Sequence, residues 1–384
     1  MTNLRKKFFI TTTIPLSFNF FKGQLNFLSK EFEITAISSD KRTLERFGEA
    51  EGIAVHCIPM ARNISLWKDF CCLVRFICFF SKHRPYIVHG NTPKASFLSM
   101  LAAKLTNVPV RIYMCHGLRY QGYTGKMEGL LKRMERLSCR CATDVICVSH
   151  GVMNTLIEDG ICRKEKLKVV AHGSANGIDG KRFDKQQIVG TECVCSKFGI
   201  TEKNFVFCFV GRIVKDKGIN ELVAAFKILV RQYTAVHLLL VGPVEDEQNA
   251  IDEKTRKEME TNRHIHAVGM QSDIRPFMAS SHVFVLPSYR EGFGVVLMEA
   301  GALGLPCITT DINGCNEIIQ DGMNGKIIPP RDKNALYEAM KWFYEHRDDE
   351  VKEMALRARP LIMERYEQHK VWAVLLEEYK SLVK

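Results

Sequence analysis

Hydrophobic positions along this chain fall into two alternating patterns, and the alternation runs through the chain twice. Short apolar runs bounded by turn formers read as strands buried on both faces. Segments with apolar positions three and four apart read as helices. In the first half, Lys7–Thr12, Glu33–Ser38, Ile53–Ile58, Tyr86–His89, Val110–Cys115 and Asp144–Val148 predict strands. Helical spacing covers Leu66–Lys82, Lys94–Leu105, Gly125–Cys141 and Gly151–Asp159. Strands that alternate with helices form a parallel sheet covered on both faces, with ligands at the carboxyl ends of the strands.

The pattern breaks at Ala171-His-Gly-Ser-Ala-Asn-Gly-Ile-Asp-Gly180, a run of turn formers followed by a polar stretch to Asn204. It then resumes. Phe205–Val210, Val236–Val241, His264–Val268, His282–Leu286 and Pro306–Thr309 predict strands. Asn220–Arg231, Asp252–Glu260 and Gly294–Leu303 predict helices between them. Glu317–Gln320 and Gly325–Ile328 flank an Asp-Gly…Asn-Gly turn, and helices at Asn334–Glu345, Asp348–Glu364 and Gln368–Val383 finish the chain. The expected fold is α/β, with two Rossmann-like domains facing each other across a cleft. The first spans residues 1–180 and the second 190–364, with the final helix, about 365–384, crossing back to the first.

Composition narrows the class. A chain of 384 residues, 46% hydrophobic and 25% charged, suits two globular domains with sizeable cores. It has no 18-residue apolar run, so no membrane-spanning helix is expected. Its basic opening resembles a signal peptide. The apolar segment that follows is broken by Thr11 to Thr13, Pro15 and Asn19, so a first strand is the better reading. The 14 cysteines include no Cys-x-x-Cys pair, which argues against zinc and suits a reducing cytosol. Charge is uneven: residues 1–180 hold 26 Lys+Arg against 14 Asp+Glu, the remainder 28 against 29. The basic half points to an anionic surface or substrate; basic residues merely spread over a solvated surface are the alternative.

Candidate chemistry concentrates in Pro287-Ser-Tyr-Arg-Glu-Gly-Phe-Gly-Val-Val-Leu-Met-Glu299. A buried strand leads into it, a small-residue helix leads away, and a Gly-Phe-Gly turn with Glu291 and Glu299 on either side lies between. The first amides of a helix have no intrahelical partner and carry partial positive charge, so this turn is an anion site. A second turn, Phe209-Val-Gly-Arg-Ile-Val-Lys-Asp-Lys-Gly218, also follows a strand and leads into a helix. Gly211 admits close backbone approach. Arg212 and Lys217 supply cations for a diphosphate, although a solvated basic turn would look the same in isolation. Neither a P-loop nor a Gly-x-Gly-x-x-Gly dinucleotide fingerprint is present.

Taken with Val241-Gly242-Pro243, Gly314…Glu317 and Asp321-Gly…Asn324-Gly325, these turns closely resemble the nucleotide-sugar-binding half of glycosyltransferase family 4 over about residues 205–330. Members of that family are retaining enzymes of GT-B architecture, and the Glu-x7-Glu pair is their signature. The resemblance implies that Arg212 and Lys217 bind the donor diphosphate and that the amides around Gly292, Phe293, Gly294 and Val295 hold the distal phosphate. It implies further that Glu299 bonds the ribose hydroxyls, that Glu291 contacts the transferred sugar, and that Met270 lies beside the nucleobase. Two fixed cations and a helix N-terminus can stabilise the departing diphosphate, and no Asp-x-Asp stands at a strand end. No cofactor is expected, and independence of metal is.

On the acceptor side, Val110-Arg-Ile-Tyr-Met-Cys-His116-Gly117 ends a strand with a histidine. Family 4 members often have one there beside the transferred sugar, so His116 is a catalytic candidate for orienting the donor or moving a proton; a structural histidine is the alternative. Asn91, in His89-Gly90-Asn91, is a weaker candidate. The turn after the first strand, Thr13-Ile-Pro-Leu-Ser-Phe-Asn-Phe-Phe-Lys-Gly23, departs from the glycine-rich turn of the family, keeping only Gly23. The hinge Gly173–Asp179 is similar to that of members that elongate undecaprenyl-diphosphate-linked saccharides.

The expected function is therefore retaining transfer of a sugar to a lipid-linked or other saccharide in surface polysaccharide or glycan biosynthesis. The expected donor is a nucleotide-diphosphate sugar, UDP-linked and of hexose or N-acetylhexosamine type. No side chain stands out as a double-displacement nucleophile, which favours front-face attack. A UDP-sugar 2-epimerase-like isomerase and a non-catalytic sugar-nucleotide scaffold are the alternatives. A nucleic-acid partner is not expected, because the basic half holds no reading motif. Leu66–Arg84 and the cations Lys126, Lys132, Arg133, Arg136 and Arg140 suggest an anionic membrane surface, hence a cytoplasmic protein peripheral on the inner face of the cell membrane; a core helix at Leu66–Phe80 is the competing reading.

Overall fold

Seven apolar segments of the first half pair into one parallel sheet: β1 (Lys7–Thr11), β2 (Glu33–Ser38), β3 (Ala54–Cys57), β4 (Ile87–Gly90), β5 (Val110–Cys115), β6 (Asp144–Cys147) and β7 (Leu167–Val169). Their order is β3-β2-β1-β4-β5-β6-β7, with Phe8 of β1 opposite Ile34 on one side and Ile87 on the other. Central strands buried on both faces carry continuous apolar runs, and Phe8, Phe9 and Ile10 are all buried. Several elements lie outside the predicted set, among them the short helix Gln24–Leu28, β7 and the helix Lys41–Glu51. β7 has three residues and only two apolar positions, too short for a period to show. The helix Lys41–Glu51 buries only Leu44, Gly48 and Glu51, and it is started by the Asp40 side chain, which accepts from the Thr43 amide.

This computed structural model describes residues 5–245 and 249–383, and it separates into two units, Met1–Gly177 with His369–Lys384, and Ile178–Gln368. The helix Gln368–Ser381 thus belongs with the first unit. There Trp372 donates its indole N–H to the Asn176 side chain at 2.6 Å and covers Gly23, while the Tyr379 ring packs edge-on against Phe8 at 5.3 Å. No helix among the described residues is long and apolar enough to cross a membrane.

The second unit repeats the scheme with six parallel strands: β8 (Phe205–Val210), β9 (Val236–Val241), β10 (Ile265–Gly269), β11 (Val283–Leu286), β12 (Cys307–Thr310) and β13 (Gly325–Ile328), ordered β10-β9-β8-β11-β12-β13. Phe207 and Phe209 are fully buried, each contributing about 2–3 kcal/mol from area removed from water. Residues Glu317 and Ile318 form a turn. The helix Val295–Ala302 is seated by the helix Glu350–Tyr366. Only glycine fits at position 301, since a Cβ there would lie 2.6 Å from Ile362. From that same helix, the Arg359 guanidinium bonds the carbonyls of Gly180, Phe183 and Ala302, drawing the segment around Arg182 to the helix.

Candidate active site

Four strand ends of the second unit meet in one backbone cluster. The Gly211 amide, just past β8, donates to Val241 O at the end of β9 at 2.9 Å, and Thr310 of β12 donates its hydroxyl to Ser288 O, just past β11, at 2.5 Å. Two glycines are obligatory. Gly218 has φ +70°, and a Cβ there would lie 2.0 Å from Pro287 O. Gly314 has φ +74°, with 2.5 Å to Gly292 O. These contacts hold the 211–218 turn, the 288–294 turn and the segment after β12 in one rigid arrangement.

Inside it, the Lys217 ammonium pairs with the Glu291 carboxylate, which also accepts from the Ser288 hydroxyl at 2.8 Å. Both partners are mostly buried, at 21% and 15% exposure. A second pair crosses the same turns. Arg290 donates to Asp216 at 2.5 and 3.0 Å, and the Tyr289 amide donates to Asp216 O at 2.8 Å. Burial pushes the Asp216 carboxyl up, but hydrogen bonds from Asn249 and Arg290 outweigh it and hold it below the usual carboxylate range. Arg212 is exposed and bonds Glu245 at 2.8 Å.

The helix Val295–Ala302 starts at Gly294 with no side-chain cap and no acidic residue in its first turn. Of the amides expected to hold a phosphate, that of Val295 donates to Phe293 O at 2.8 Å and that of Gly294 lies 3.5 Å from Gly314 O. Glu299, the fifth residue of the helix, is partly buried, and no described residue hydrogen-bonds its carboxylate. Burial pushes it up to about 7, with Arg182 opposing. Met270, past the end of β10, is 82% exposed.

In the first unit, His116 follows β5. Its ring is stacked by Phe20 at 5.4 Å and met edge-on by Phe21 at 5.8 Å, and its Nε2 lies 3.3 Å from Asn91 Oδ1. Burial lowers it to about 4, so it is neutral at neutral pH. Asn91 is buried among protein partners, and the Gly23 amide donates to Glu51 at 2.7 Å; both acceptor-side candidates are engaged within the fold.

Sequence reasoning gave no role to Ser288, Asp216, Arg290 or Arg182. For Ser288 a signal was present, a hydroxyl three residues before Glu291. The Asp216–Arg290 pair joins two loops distant in sequence, and Arg182 reaches the site only because Arg359 holds its segment, so neither left a local pattern.

Comparison with known proteins bears on this arrangement. The family model Glycosyl transferases group 1 matches residues 195–359, and Glycosyltransferase Family 4 matches residues 25–174. A capsular polysaccharide biosynthesis glycosyltransferase, CapM, of Staphylococcus aureus is 34% identical over 381 residues, 99% of this chain and 98% of its own. The UDP-Gal:alpha-D-GlcNAc-diphosphoundecaprenol alpha-1,3-galactosyltransferase of Escherichia coli is 26% identical over 314 residues, 81% of this chain and 80% of its own. Among solved structures, Anabaena HepE in complex with UDP gives a TM-score of 0.80 at 18% identity, covering 98% of this chain and 100% of that one. The fold is GT-B, two parallel-sheet α/β domains.

Proposed function

The chain belongs to glycosyltransferase family 4, and we propose that within it this enzyme moves a sugar from a UDP-linked donor, with retention of configuration, to a lipid-linked saccharide in polysaccharide biosynthesis. That it is a glycosyltransferase is shown by its relatives, so the isomerase and scaffold alternatives are set aside. Glu299 carries the donor reading: a mostly buried carboxylate that no described residue hydrogen-bonds, in the second turn of a helix with an uncapped N-terminus. Ribose hydroxyls would supply the hydrogen bonds that Glu299 lacks in the protein.

On this reading the donor diphosphate competes with Glu291 for Lys217. The displaced Glu291, still held by Ser288, turns to the hydroxyls of the transferred sugar. Arg212 exchanges Glu245 for the diphosphate. As the bond from the anomeric carbon to the diphosphate oxygen breaks, charge grows on that oxygen, and Lys217, Arg212 and the helix N-terminus meet it without a divalent metal. The acceptor oxygen bonds the anomeric carbon on the same face, and its proton passes to the departing diphosphate. Lipid-linked acceptors are the substrates of a relative named above, which supports the acceptor class. The test is transfer from UDP-, GDP- and ADP-sugars to a synthetic undecaprenyl-diphosphate N-acetylglucosamine, with the product's anomeric configuration read by NMR. Retention with a UDP-sugar is expected; an inverted product, or transfer from GDP- or ADP-sugars only, contradicts the proposal.

Membrane contact is part of the same reading. The helix Leu66–His83 buries Cys72, Phe76 and Phe80 on one face, as a core helix would. Its other face leaves Leu66, Trp67, Phe70 and Val74 exposed, and the helix Gly125–Cys141 exposes Met127, Leu130 and Leu137. Both helices pack against the helix Pro93–Leu105, and exposed Lys68, Arg75, Lys126 and Arg133 lie on them. Apolar side chains among cations suit anionic lipid. Substituting Leu66, Trp67 and Phe70 together with serine is expected to weaken co-sedimentation with phosphatidylglycerol vesicles by about tenfold or more. Equal binding by the two proteins would contradict this surface assignment.

A further inference from the structure

A buried polar chain behind His116 fixes more than its position. Asn91 sits between two histidines, and its side-chain amide is oriented without ambiguity. The Nδ2 atom lies 3.4 Å from Thr11 O and 3.3 Å from His89 O, both of which can only accept, so that end of the amide is the NH2 group. The same Nδ2 lies 2.9 Å from His89 Nδ1, which must then be an unprotonated acceptor. His89 is fully buried, and desolvation lowers it to about 3, so it is neutral and carries its single proton on Nε2. That proton points to the Tyr379 hydroxyl, 3.1 Å away on the last helix.

The other end of the amide is therefore oxygen, and it lies 3.3 Å from His116 Nε2. An oxygen there requires a donor opposite it. We propose that Asn91 is a positioning residue that holds His116 as the Nε2–H tautomer, leaving His116 Nδ1 as a hydrogen-bond acceptor for a substrate hydroxyl. No described residue bonds Nδ1, and the ring is partly exposed between Phe20 and Phe21. The chemistry this selects is specific. A neutral His116 accepts from a sugar hydroxyl through Nδ1; it does not donate from that atom to a phosphate or a carbonyl. The Thr11 and His89 carbonyls thus fix which way Asn91 faces, and the Tyr379 hydroxyl accepts from the N–H that His89 then carries at Nε2.

The inference rests on reading His116 as a group that touches the sugar, and its test separates the two. Histidine 15N-labelled full-length protein is examined by two-bond proton–nitrogen correlation, with His116 assigned from the signals missing in His116→Gln. Protonated Nε2 and bare Nδ1 are expected for His116, whether or not substrate is present. In Asn91→Leu the acceptor is gone and both tautomers are expected, with kcat about tenfold lower. In Asn91→Asp the acceptor oxygen remains, and the Nε2–H form is expected to persist. A His116 protonated on Nδ1 in the wild type, or a tautomer unchanged in a folded Asn91→Leu variant, overturns the assignment of Asn91. Full activity of His116→Ala would remove the substrate contact while leaving the tautomer result standing. Should Asn91→Leu fail to fold, the wild-type spectrum decides alone.

Discussion

Replacing Lys217 with alanine is expected to lower kcat/KM for sugar transfer by about 10²–10³-fold, the usual loss for one fixed donor facing developing charge in a shielded site. Lys217 is mostly buried, held by the turn that closes at Gly218, and its ammonium is paired with Glu291. The substitution also leaves the Glu291 carboxylate without its cation. Because the pair is partly open to water, the cost in stability is expected to be about 1–2 kcal/mol. The two effects can be separated. Adding Glu291→Gln to Lys217→Ala is expected to restore most of that stability and none of the rate. Steady-state release of the nucleotide and urea unfolding of the single and double variants check both halves. A Lys217→Ala enzyme within threefold of wild-type kcat/KM would place the diphosphate elsewhere.

Glu299→Gln is expected to act in opposite directions on stability and on binding. The folded-state value of Glu299, about 7, lies above its ordinary 4.5, so the fold favours the protonated acid. The unliganded protein therefore loses stability as pH rises from about 4.5 through about 7, and that loss is complete above it. Glutamine carries no charge to bury, so at pH 8 the variant is expected to be more stable than wild type by about 1–2 kcal/mol, after allowance for partial exposure. Binding of the donor nucleotide is expected to weaken by about 10–100-fold, because hydrogen bonds from ribose hydroxyls to a carboxylate exceed those to an amide. Thermal unfolding at pH 5 and pH 8 reads the first effect, and nucleotide titration reads the second. A variant destabilised at pH 8 would mean that Glu299 has a structural partner.

Much of this architecture is legible in the sequence wherever burial is complete. Phe205–Val210 is an unbroken apolar run and Val236–Val241 one interrupted only by His237, because both faces of their sheet are covered, and the strands occupy the residues that the runs mark. The helix Lys41–Glu51 is faint in the sequence: Leu44, Phe47 and Gly48 do stand on one helical face, but Leu44 and Phe47 are its only large apolar side chains. In the site, the glycines and carboxylates of 287–299 could be read because a strand, a tight turn and a helix start occur in succession. The clamp between Asp216 and Arg290 could not, because it joins loops that only the sheet order brings together. The expectation for Gly23 met a further limit: Trp372 and Glu51, which pack against it, come from other parts of the chain.

Calorimetric titration of UDP in the presence of EDTA, on wild type, Lys217→Ala, Glu299→Gln and His116→Ala, tests the donor-site assignment most directly. Saturable one-to-one binding is expected for wild type and for His116→Ala, with affinity at least tenfold weaker in Lys217→Ala and Glu299→Gln. UDP binding that is absent, or that the Lys217 and Glu299 substitutions leave unchanged, would contradict the account.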